Sequence, residues 1–320
     1  MNFPHDDAEF EDLLSIVSDK RGFSPGLVEK DYWVIHTLWA LHQSGLEVWF
    51  KGGTSLSKGF SIIERFSEDL DVKIEPGRVL SVPLVSNWTS KGTKAVGQRR
   101  AFFESLVTAI TVPGARSSLD SDLFESSWRS AGIRVTYGGR YLRELREPFK
   151  PFVLLEVGTA RVTPFVTCDL TSLVHDELLA QGQASDFRDN RPRAVRCVHP
   201  LVTLLEKLDA LHLRVPKSSV EPAKFVRHFE DAARVIAAQT SLPPLLNYDD
   251  LPELAREMLD ERQIACLPDS GDPAFHVADD ERWDAIRRAY AAIAPIYWGT
   301  RLSLEEACTA IREWIHRTLE

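Results

Sequence analysis

The residues of this chain best suited by type and spacing to chemistry are two aspartates, Asp69 and Asp71. Apolar residues alternate with them at Leu70, Val72 and Ile74, which predicts a half-buried strand. Residues i and i+2 of a strand point to the same face, so the two carboxylates are expected to lie side by side. Such a pair repels unless a cation lies between the charges. The spacing therefore predicts a metal site for Mg²⁺, with Mn²⁺ as the alternative, completed by water and substrate phosphates.

A glycine pair stands upstream of the aspartates. Gly52 and Gly53 precede a helix predicted over residues 54–65. Glycines let the backbone approach a bulky anion closely, and the N–H groups at the start of a helix favour phosphate. Thr54, which can cap this helix, and Ser55 can donate hydroxyl hydrogens to the same phosphate oxygens. The segment lacks the GxxxxGK[ST] pattern of a P-loop, but it predicts a phosphate-binding turn.

A phosphate-binding turn that faces paired carboxylates is suited to nucleotidyl transfer, in which metal ions activate the attacking oxygen and stabilise the leaving pyrophosphate. Such a site needs a third carboxylate from a neighbouring strand. Glu156 stands inside an apolar segment, and acids are rarely buried without a partner. Asp169, at the end of another predicted strand, is the alternative. We expect Glu156 to be the third metal ligand because its flanking residues are of the more buried type.

Short apolar segments and helical periodicity predict the elements that position these side chains. Further strands are predicted at 46–50, 131–137, 151–157, 164–169 and 194–198. Helices are predicted at 7–20, 26–43, 54–65, 97–110, 201–213, 222–239, 248–265, 280–294 and 303–319. Ser24 and Pro25 open the second helix as N-cap and first helical residue.

Strands and helices mix up to His199, and only helices are predicted after it. The predicted fold class is therefore α+β. A nucleotidyltransferase core with N-terminal helices and a mixed β-sheet is predicted over residues 1–198, and an all-helical C-terminal domain over residues 199–320. A chain of 320 residues is long enough for two domains, each with its own core.

The composition, 44% hydrophobic and 27% charged, is typical of a globular protein. No apolar stretch approaches the roughly 18 residues of a transmembrane helix, and the acidic N-terminus does not resemble a signal peptide. The cysteines lie far apart without CxxC spacing, which excludes a zinc knuckle or a disulfide framework and favours a reducing cytoplasm. They are Cys168, Cys197, Cys266 and Cys308.

The net charge of −9 argues against wrapping nucleic acid with the whole surface. Residues 78–150, however, carry twelve Lys and Arg against six Asp and Glu. The basic segment 91–150 could hold a polyanion, although charge blocks are also common on ordinary solvated faces. Its candidate contacts are Lys91, Lys94, Arg99, Arg100, Arg140, Arg143 and Arg146.

Four segments of the sequence resemble, in the same order, the motifs of the AbiEii/AbiGii toxin family: KGGTSLSKGF, RFSEDLDVKI, LLEKLDAL and RHFEDAARV. The segment VEKDYWV at 28–34 is also similar to the family's N-terminal helix, so the resemblance covers about residues 20–240. The resemblance implies a DNA polymerase β-like catalytic core. It also implies a toxin of a bacterial toxin–antitoxin or phage abortive-infection system, with a cognate antitoxin from the same operon.

The resemblance also assigns residues. It implies that Gly52, Gly53 and Thr54 hold the triphosphate and that Asp69 and Asp71 bind the metal. Lys207 would match the family's nucleotide-contacting lysine and Asp231 its essential helical aspartate. Helical spacing leaves Lys207 off the predicted buried stripe, free to contact phosphate.

Three further polar side chains are candidates for substrate binding. Arg227 and Asp231 are four residues apart on one predicted helix, so they can pair or share a ligand. Arg65 could bind a phosphate bidentately, or only end the preceding helix with a favourable charge. Ser67 could accept a nucleotidyl or phosphoryl group.

The residues around this site leave further alternatives open. Glu29, Lys30 and Asp31 either approach the site from the N-terminal helix or form an exposed turn. Among the tryptophans, Trp88 lies in a polar, basic loop and is the one we expect to be available to a nucleobase. Core positions are expected for Trp33, Trp39 and Trp49.

The function predicted from these residues is Mg²⁺-dependent transfer of a nucleoside monophosphate from an NTP to an acceptor. The family resemblance implies a tRNA 3′ end as acceptor. A toxin that binds NTP or a partner protein without transfer chemistry is the first alternative. Nucleotidylation of a protein or a small molecule is the second.

Overall fold

A computed structural model describes residues 1–124, 126–145 and 149–320, and the chain divides into two compact units. The first unit consists of Met1–Thr54, Glu68–Ala160 and Thr167–Cys197. The second consists of Ser55–Ser67, Arg161–Val166 and Val198–Glu320. Two short segments that precede Val198 in the sequence therefore belong with the C-terminal part. The division into domains at residues 1–198 and 199–320 stays a prediction.

A mixed β-sheet forms the centre of the fold, in agreement with the predicted α+β class. The seven strands within the described residues are β1 (Glu47–Lys51), β2 (Asp69–Glu75), β3 (Ala115–Phe124), β4 (Ala131–Tyr137), β5 (Val153–Val157), β6 (Phe165–Cys168) and β7 (Val195–Val198). Their order in the sheet is β3-β4-β5-β2-β1-β7-β6. Strand β1 pairs antiparallel to β2 and parallel to β7, while β2 pairs parallel to β5. The strand that carries the aspartates therefore lies between β1 and β5.

Helices accompany the sheet in the first part of the chain. They are α1 (Phe10–Arg21), α2 (Pro25–Gln43), α3 (Gly52–Lys58), α4 (Thr93–Ala109) and α5 (Leu173–Ala180). The Ser24 side chain accepts a hydrogen bond from the Leu27 N–H and Pro25 is the first residue of α2, so the predicted cap is confirmed. Helix α3 was predicted to run to residue 65 but ends at Lys58, immediately before a glycine.

Alternating apolar side chains put one face of the central strands into the core. Val48 and Phe50 of β1 are buried, as are Leu70 and Val72 of β2, whereas the residues between them are partly exposed. Helix α2 packs on the same strands and buries most of its length. The opposite face of β1 and β2 carries the polar residues, including both aspartates.

Lys30 of α2 joins a buried ion pair that fixes the segments next to the aspartates. Its ammonium lies 3.0 Å from Glu68 Oε2 and donates hydrogen bonds to the backbone carbonyls of Lys150 and Phe152. Glu68 in turn accepts a hydrogen bond from the Lys150 N–H. Burial lowers the pKa of the Lys30 ammonium and raises that of the Glu68 carboxyl. This pair ties α2 to the residue before β2 and to the approach of β5.

The neighbours of Lys30 are buried as well, so the predicted alternative of an exposed turn is wrong. Glu29 accepts hydrogen bonds from the N–H groups of Arg140 and Tyr141. Asp31 accepts one from the Leu173 N–H, at the first residue of α5. All three charged side chains of this stretch therefore hold backbone segments in place.

Every regular element after His199 is a helix in the described structure. These are α6 (Pro200–Arg214), α7 (Arg227–Ala238), α8 (Leu251–Asp260), α9 (Glu281–Ala292) and α10 (Leu304–Thr318). Helix α7 packs against both α6 and α10. No helix within the described residues is both long and apolar enough to cross a bilayer.

The ion pair of Lys30 generates a stability prediction. Lys30→Met leaves the Glu68 carboxylate buried without its cation and two carbonyls without their donor, so the free energy of unfolding should fall by about 3–5 kcal/mol. Lys224→Met is the matched control, because both side chains of the Lys224–Glu221 pair are exposed, at 69% and 76%. That loss should stay below about 1 kcal/mol. Urea denaturation measures both, and equal losses would contradict a structural role for the buried pair.

Candidate active site

Asp71 and Glu156 are neighbours on adjacent strands. The parallel register of β2 and β5 places Asp71 opposite Glu156, and the two side chains hydrogen-bond. Asp69 lies two residues earlier on the same face of β2. Burial, followed by the negative charges of Asp71 and Asp69, raises the pKa of Glu156 to about 7. The three carboxyl groups of this acid cluster therefore favour a shared proton or a cation.

Gly52 lies directly against this acid cluster. Its φ of +76° is in the left-handed region, and a Cβ at this position would lie 1.8 Å from Asp71 Oδ2. The antiparallel register also pairs Lys51, the residue before it, with Asp71. Glycine is therefore required here both by the backbone conformation and by the close approach of the carboxylate.

Thr54 holds the glycine turn to the aspartate strand. Its hydroxyl donates a hydrogen bond of 2.6 Å to the backbone carbonyl of Asp69. The prediction that Thr54 caps the following helix is wrong, because α3 already begins at Gly52 and includes Gly53 in its first turn. Ser55 is buried, and its hydroxyl has no hydrogen-bond partner among the described residues.

Lys150 stands beside the acid cluster and was not predicted. Its ammonium lies 3.7 Å from Asp69 Oδ1, an oxygen that accepts no hydrogen bond from any described residue. The Lys150 side chain is 39% exposed, whereas its backbone N–H and carbonyl are bonded to Glu68 and Lys30. Lys150 could have been predicted near the site because it stands just before the apolar segment that forms β5 and carries Glu156.

The alternative third acid lies elsewhere. Asp169 follows β6, which is at the edge of the sheet, three positions away from β2 in the strand order. It is exposed, forms an ion pair of 3.0 Å with Arg193, and accepts the Ala194 N–H. The residue that joins the two aspartates of β2 is therefore Glu156.

The acid cluster fits a hard divalent cation that brings part of its own coordination shell. No set of three or more His, Cys, Asp and Glu side chains within the described parts of the chain forms a ready metal cage. The cluster does contain an oxygen on Asp69 without a hydrogen bond, and a carboxyl on Glu156 whose pKa is raised by burial and by the neighbouring aspartates. Mg²⁺ needs only one or two protein carboxylates when water and phosphate oxygens supply the rest.

A cavity of about 370 Å³ opens next to the acid cluster. This volume lies within the range of small-molecule sites, which begins at about 300 Å³. The carboxylates and lysines that line it belong to β1, β2 and β5, and further polar side chains come from β3 and from the residue before β4. The polar lining includes Lys51, Asp71, Lys73, Asp122, Ser130 and Glu156.

A second charged cluster lies inside the second unit. Asp231 of α7 receives two hydrogen bonds of 2.8 Å from the Arg65 guanidinium and one of 2.8 Å from the Lys207 ammonium. All three side chains are buried. Burial opposes ionisation of Asp231, but the charges of Arg65 and Lys207 outweigh it and hold its pKa far below its usual range.

This cluster corrects three sequence-based predictions. Lys207 is not free for phosphate but is 7% exposed and paired with Asp231. Among the described ion pairs, Asp231 has Arg65 as its arginine partner and not Arg227. Arg65 does not end a helix, since α3 stops seven residues earlier, and its guanidinium fork binds a carboxylate. Ser67 is half-buried, two residues before β2.

The segment that carries Arg65 is paired with the C-terminal part of the chain. The Phe66 N–H donates to the Ile296 carbonyl at 2.8 Å, and the Trp298 N–H donates to the Glu64 carbonyl at 3.1 Å. Arg65 and Tyr297 form the bridge between them. Local sequence patterns could not predict this contact, because its residues are more than 200 positions apart.

The predicted basic segment is largely occupied with internal contacts. Arg99 is fully buried and donates to three backbone carbonyls, so it is not a surface contact for a polyanion. Arg100 pairs with Glu104, and Arg140 with Glu11. Lys91, Lys94 and Arg143 are exposed, while Arg146 lies outside the described residues.

The tryptophans differ from the prediction at one position. Trp33 and Trp39 are buried as expected, with 4% and 8% exposure. Trp49 is only half-buried, because it stands on the polar face of β1. Trp88 packs edge-on against Phe102 and Phe103 at ring distances of 5.4 and 6.2 Å.

The close approach of Gly52 to Asp71 generates a second prediction. Gly52→Ala should lower the free energy of unfolding by more than about 1 kcal/mol, since the left-handed backbone and the Asp71 carboxylate both resist a Cβ. Gly97→Ala in α4 is the control, because no described atom lies within 4 Å of its new Cβ. That change should add about 0.5–1 kcal/mol. Equal stability of the two variants in urea would refute the requirement for glycine.

Glu156 generates a prediction of pH dependence. Its folded-state pKa of about 7 lies above its ordinary value of 4.5. Its contribution to stability is therefore complete below the ordinary value and is lost as the pH rises through the folded-state value. The melting temperature of the metal-free protein should fall between about pH 5 and pH 8, and Glu156→Gln should remove part of that fall. Identical profiles for variant and wild type would rule out the raised pKa.

A family comparison agrees with this arrangement. The family described as "Nucleotidyl transferase AbiEii toxin, Type IV TA system" matches residues 37–306, a span that includes the glycine turn, the acid cluster and Asp231. No curated protein is significantly similar to the chain. The resemblance predicted from the sequence motifs is confirmed, and the match covers most of the 320 residues. The chain therefore belongs to the nucleotidyl transferase AbiEii toxin family of type IV toxin–antitoxin systems.

Proposed function

We propose that this toxin transfers a nucleoside monophosphate from an NTP to an acceptor hydroxyl and releases pyrophosphate. The observation that carries the proposal is the contact of Asp71 with both Glu156 and the Gly52 turn, at the edge of a cavity large enough for a small molecule. Carboxylates on neighbouring strands repel each other, so their presence together favours a bound cation or proton between them. The polymerase β-like character of the core and its helical C-terminal domain are part of this proposal.

The acid cluster would bind Mg²⁺, or Mn²⁺, through Asp69, Asp71 and Glu156. When bound, the metal would supply charge neutralisation at the triphosphate and a lowered pKa for the attacking hydroxyl. The Asp71 carboxylate fills the space against Gly52, so the turn of Gly52 and Gly53 would hold the triphosphate through its backbone N–H groups. Glu156, whose pKa is close to neutrality in the metal-free protein, would be deprotonated when it serves as the third metal ligand.

Lys51 and Lys73 line the same cavity, so their charges can attract the phosphates of the incoming nucleotide. Ser67 and Ser55 remain candidates for contacts with substrate, and Ser67 for an acceptor of the transferred group. Lys150 would pass from Asp69 to a phosphate oxygen when the metal replaces it at the carboxylate.

The Arg65–Lys207–Asp231 cluster has a positioning role in this proposal. Its three buried charges fix the segment Ser55–Ser67, which continues directly into β2 and the aspartates. A direct contact of Lys207 with nucleotide, as the family resemblance implies, would require it to leave Asp231. We therefore propose that Lys207 acts through Asp231, and Arg227 stays a candidate for nucleotide binding.

The acceptor proposed for this toxin is a tRNA 3′ end, modified in the cytoplasm and opposed by an antitoxin from the same operon. The resemblance to a family of abortive-infection toxins supports a role in phage defence. RNA, protein and small-molecule acceptors all present a hydroxyl, so the acceptor class is decided by experiment.

Transfer is tested by incubating the protein with total RNA, with lysate protein and with each labelled NTP in Mg²⁺. Asp71→Asn and Glu156→Gln should each reduce label transfer by about 100-fold or more, because each removes a charge that binds the metal. Asp169→Asn is the matched control and should stay within about twofold of wild type, since Asp169 is exposed and paired with Arg193.

The outcomes separate the alternatives. Label in tRNA supports the proposed acceptor, whereas label in protein or in a small molecule replaces it within the same chemistry. Growth arrest that persists in Asp71→Asn without any label transfer would refute transfer as the toxic act and favour sequestration of NTP or of a partner.

A further inference from the structure

A band of cations crosses the polar face of the central strands. Trp49 of β1 pairs in register with Lys73 of β2 on one side and with Arg196 of β7 on the other. Lys51 stands two residues along β1 on the same face as Trp49. We name Lys51, Lys73, Arg196 and the tryptophan between them the cationic band.

Trp49 orders the two flanking cations. The Lys73 ammonium lies 5.5 Å from the indole ring centre, and the Arg196 guanidinium carbon lies 4.9 Å from it. Cations at such distances are attracted by the electron-rich face of the ring. The indole is half-exposed, so this stack of two cations and one ring is accessible from the polar face of the sheet.

Two residues of the cationic band form ion pairs with surface glutamates, and a bound phosphate would have to displace these glutamates. Arg196 lies 3.4 Å from Glu47 and Lys73 lies 3.0 Å from Glu75. Both glutamate side chains are about half exposed, and ion pairs at such sites contribute only about 0–1 kcal/mol. A phosphate can therefore replace either glutamate at little cost.

The band is continuous with the candidate active site. Lys51 and Lys73 line the cavity that also contains Asp71 and Glu156, and Arg196 extends the band by two strands. Because neighbouring strands are about 4.8 Å apart, the strands of Lys73 and Arg196 are separated by about 10 Å. A chain of phosphates that ends in the cavity would cross this distance with one or two residues of nucleic acid.

We infer that the cationic band binds a single-stranded nucleic-acid segment whose end enters the cavity. Single-stranded nucleic acid combines regularly spaced phosphates with flat bases, and proteins bind it with cations interleaved with aromatic and arginine planes. An acidic peptide would match the charges but has no flat groups for the arginine–tryptophan stack. The inference rests on the proposed function and locates its acceptor on the sheet, in place of the segment 91–150.

The test measures binding of a labelled, unstructured RNA oligonucleotide of about 12 nucleotides, without NTP, over a series of salt concentrations. Arg196→Gln should weaken binding by about 5–10-fold and reduce the salt slope of log Kd by about 0.7, the value for one phosphate contact on a single strand. Trp49→Leu should weaken binding by a similar factor, since Lys73 and Arg196 lose the ring that holds them in place.

Arg100→Gln is the matched control, because it removes one exposed arginine and breaks one surface ion pair, with Glu104, in the basic segment predicted from the sequence. It should leave both Kd and salt slope unchanged. If Trp49→Leu fails to fold, the exposed Arg196 variant still decides the question.

Wild-type affinity and salt slope in Arg196→Gln, or a wild-type protein that binds no RNA, would overturn the inference. Weaker RNA binding in Arg100→Gln but not in Arg196→Gln would also overturn the inference. These outcomes are independent of the proposed chemistry, because label transfer is measured separately with Asp71→Asn. Loss of RNA binding in Arg196→Gln, together with a wild-type protein that transfers no label, would retain the band and refute the transferase.

Discussion

The electrostatic constraint on which this structure depends is the gathering of three carboxyl groups on two neighbouring strands. The register of β2 and β5 places Asp71 beside Glu156, and burial, followed by the negative charges of Asp71 and Asp69, raises the pKa of Glu156 to about 7. The fold must hold these groups together against their mutual repulsion. The buried Lys30–Glu68 pair helps to hold them in place, because it fixes the residues that lead into β2 and β5. The Gly52 turn closes the cluster from the side of β1.

The two charged clusters of the chain illustrate opposite uses of the same residue type. Asp231 is buried among cations, has its oxygens fully hydrogen-bonded, and stays ionised at any ordinary pH. Asp69 retains an oxygen without a hydrogen bond and a half-exposed lysine nearby. A satisfied carboxylate is part of the scaffold, whereas an unsatisfied one retains the capacity to bind a ligand. Chemistry is therefore expected at the acid cluster, and rigidity at Asp231.

Sequence reasoning predicted the parts of this protein that local patterns encode. Alternation located β2, and residue type together with apolar context was enough to choose Glu156 over Asp169. It missed β3, whose sequence ARSSLDSDLF is largely polar, and the short helix α5. Lys207 was predicted to be free because helical periodicity ranks faces by hydrophobicity and cannot see a partner 24 residues away. Trp49 was predicted to be core because residue type alone does not tell which face of a strand is covered.

Lys150 has a backbone anchored at both its N–H and its carbonyl, while its side chain reaches toward Asp69 from a partly solvated position. Such a residue is a tethered counter-ion. Its ammonium offsets part of the negative charge of the acid cluster. Because the backbone is anchored, the side chain can rotate away from Asp69 without moving the main chain. If the proposed cation binds at Asp69, the ammonium of Lys150 would have to leave that carboxylate, and rotation of its side chain would be enough.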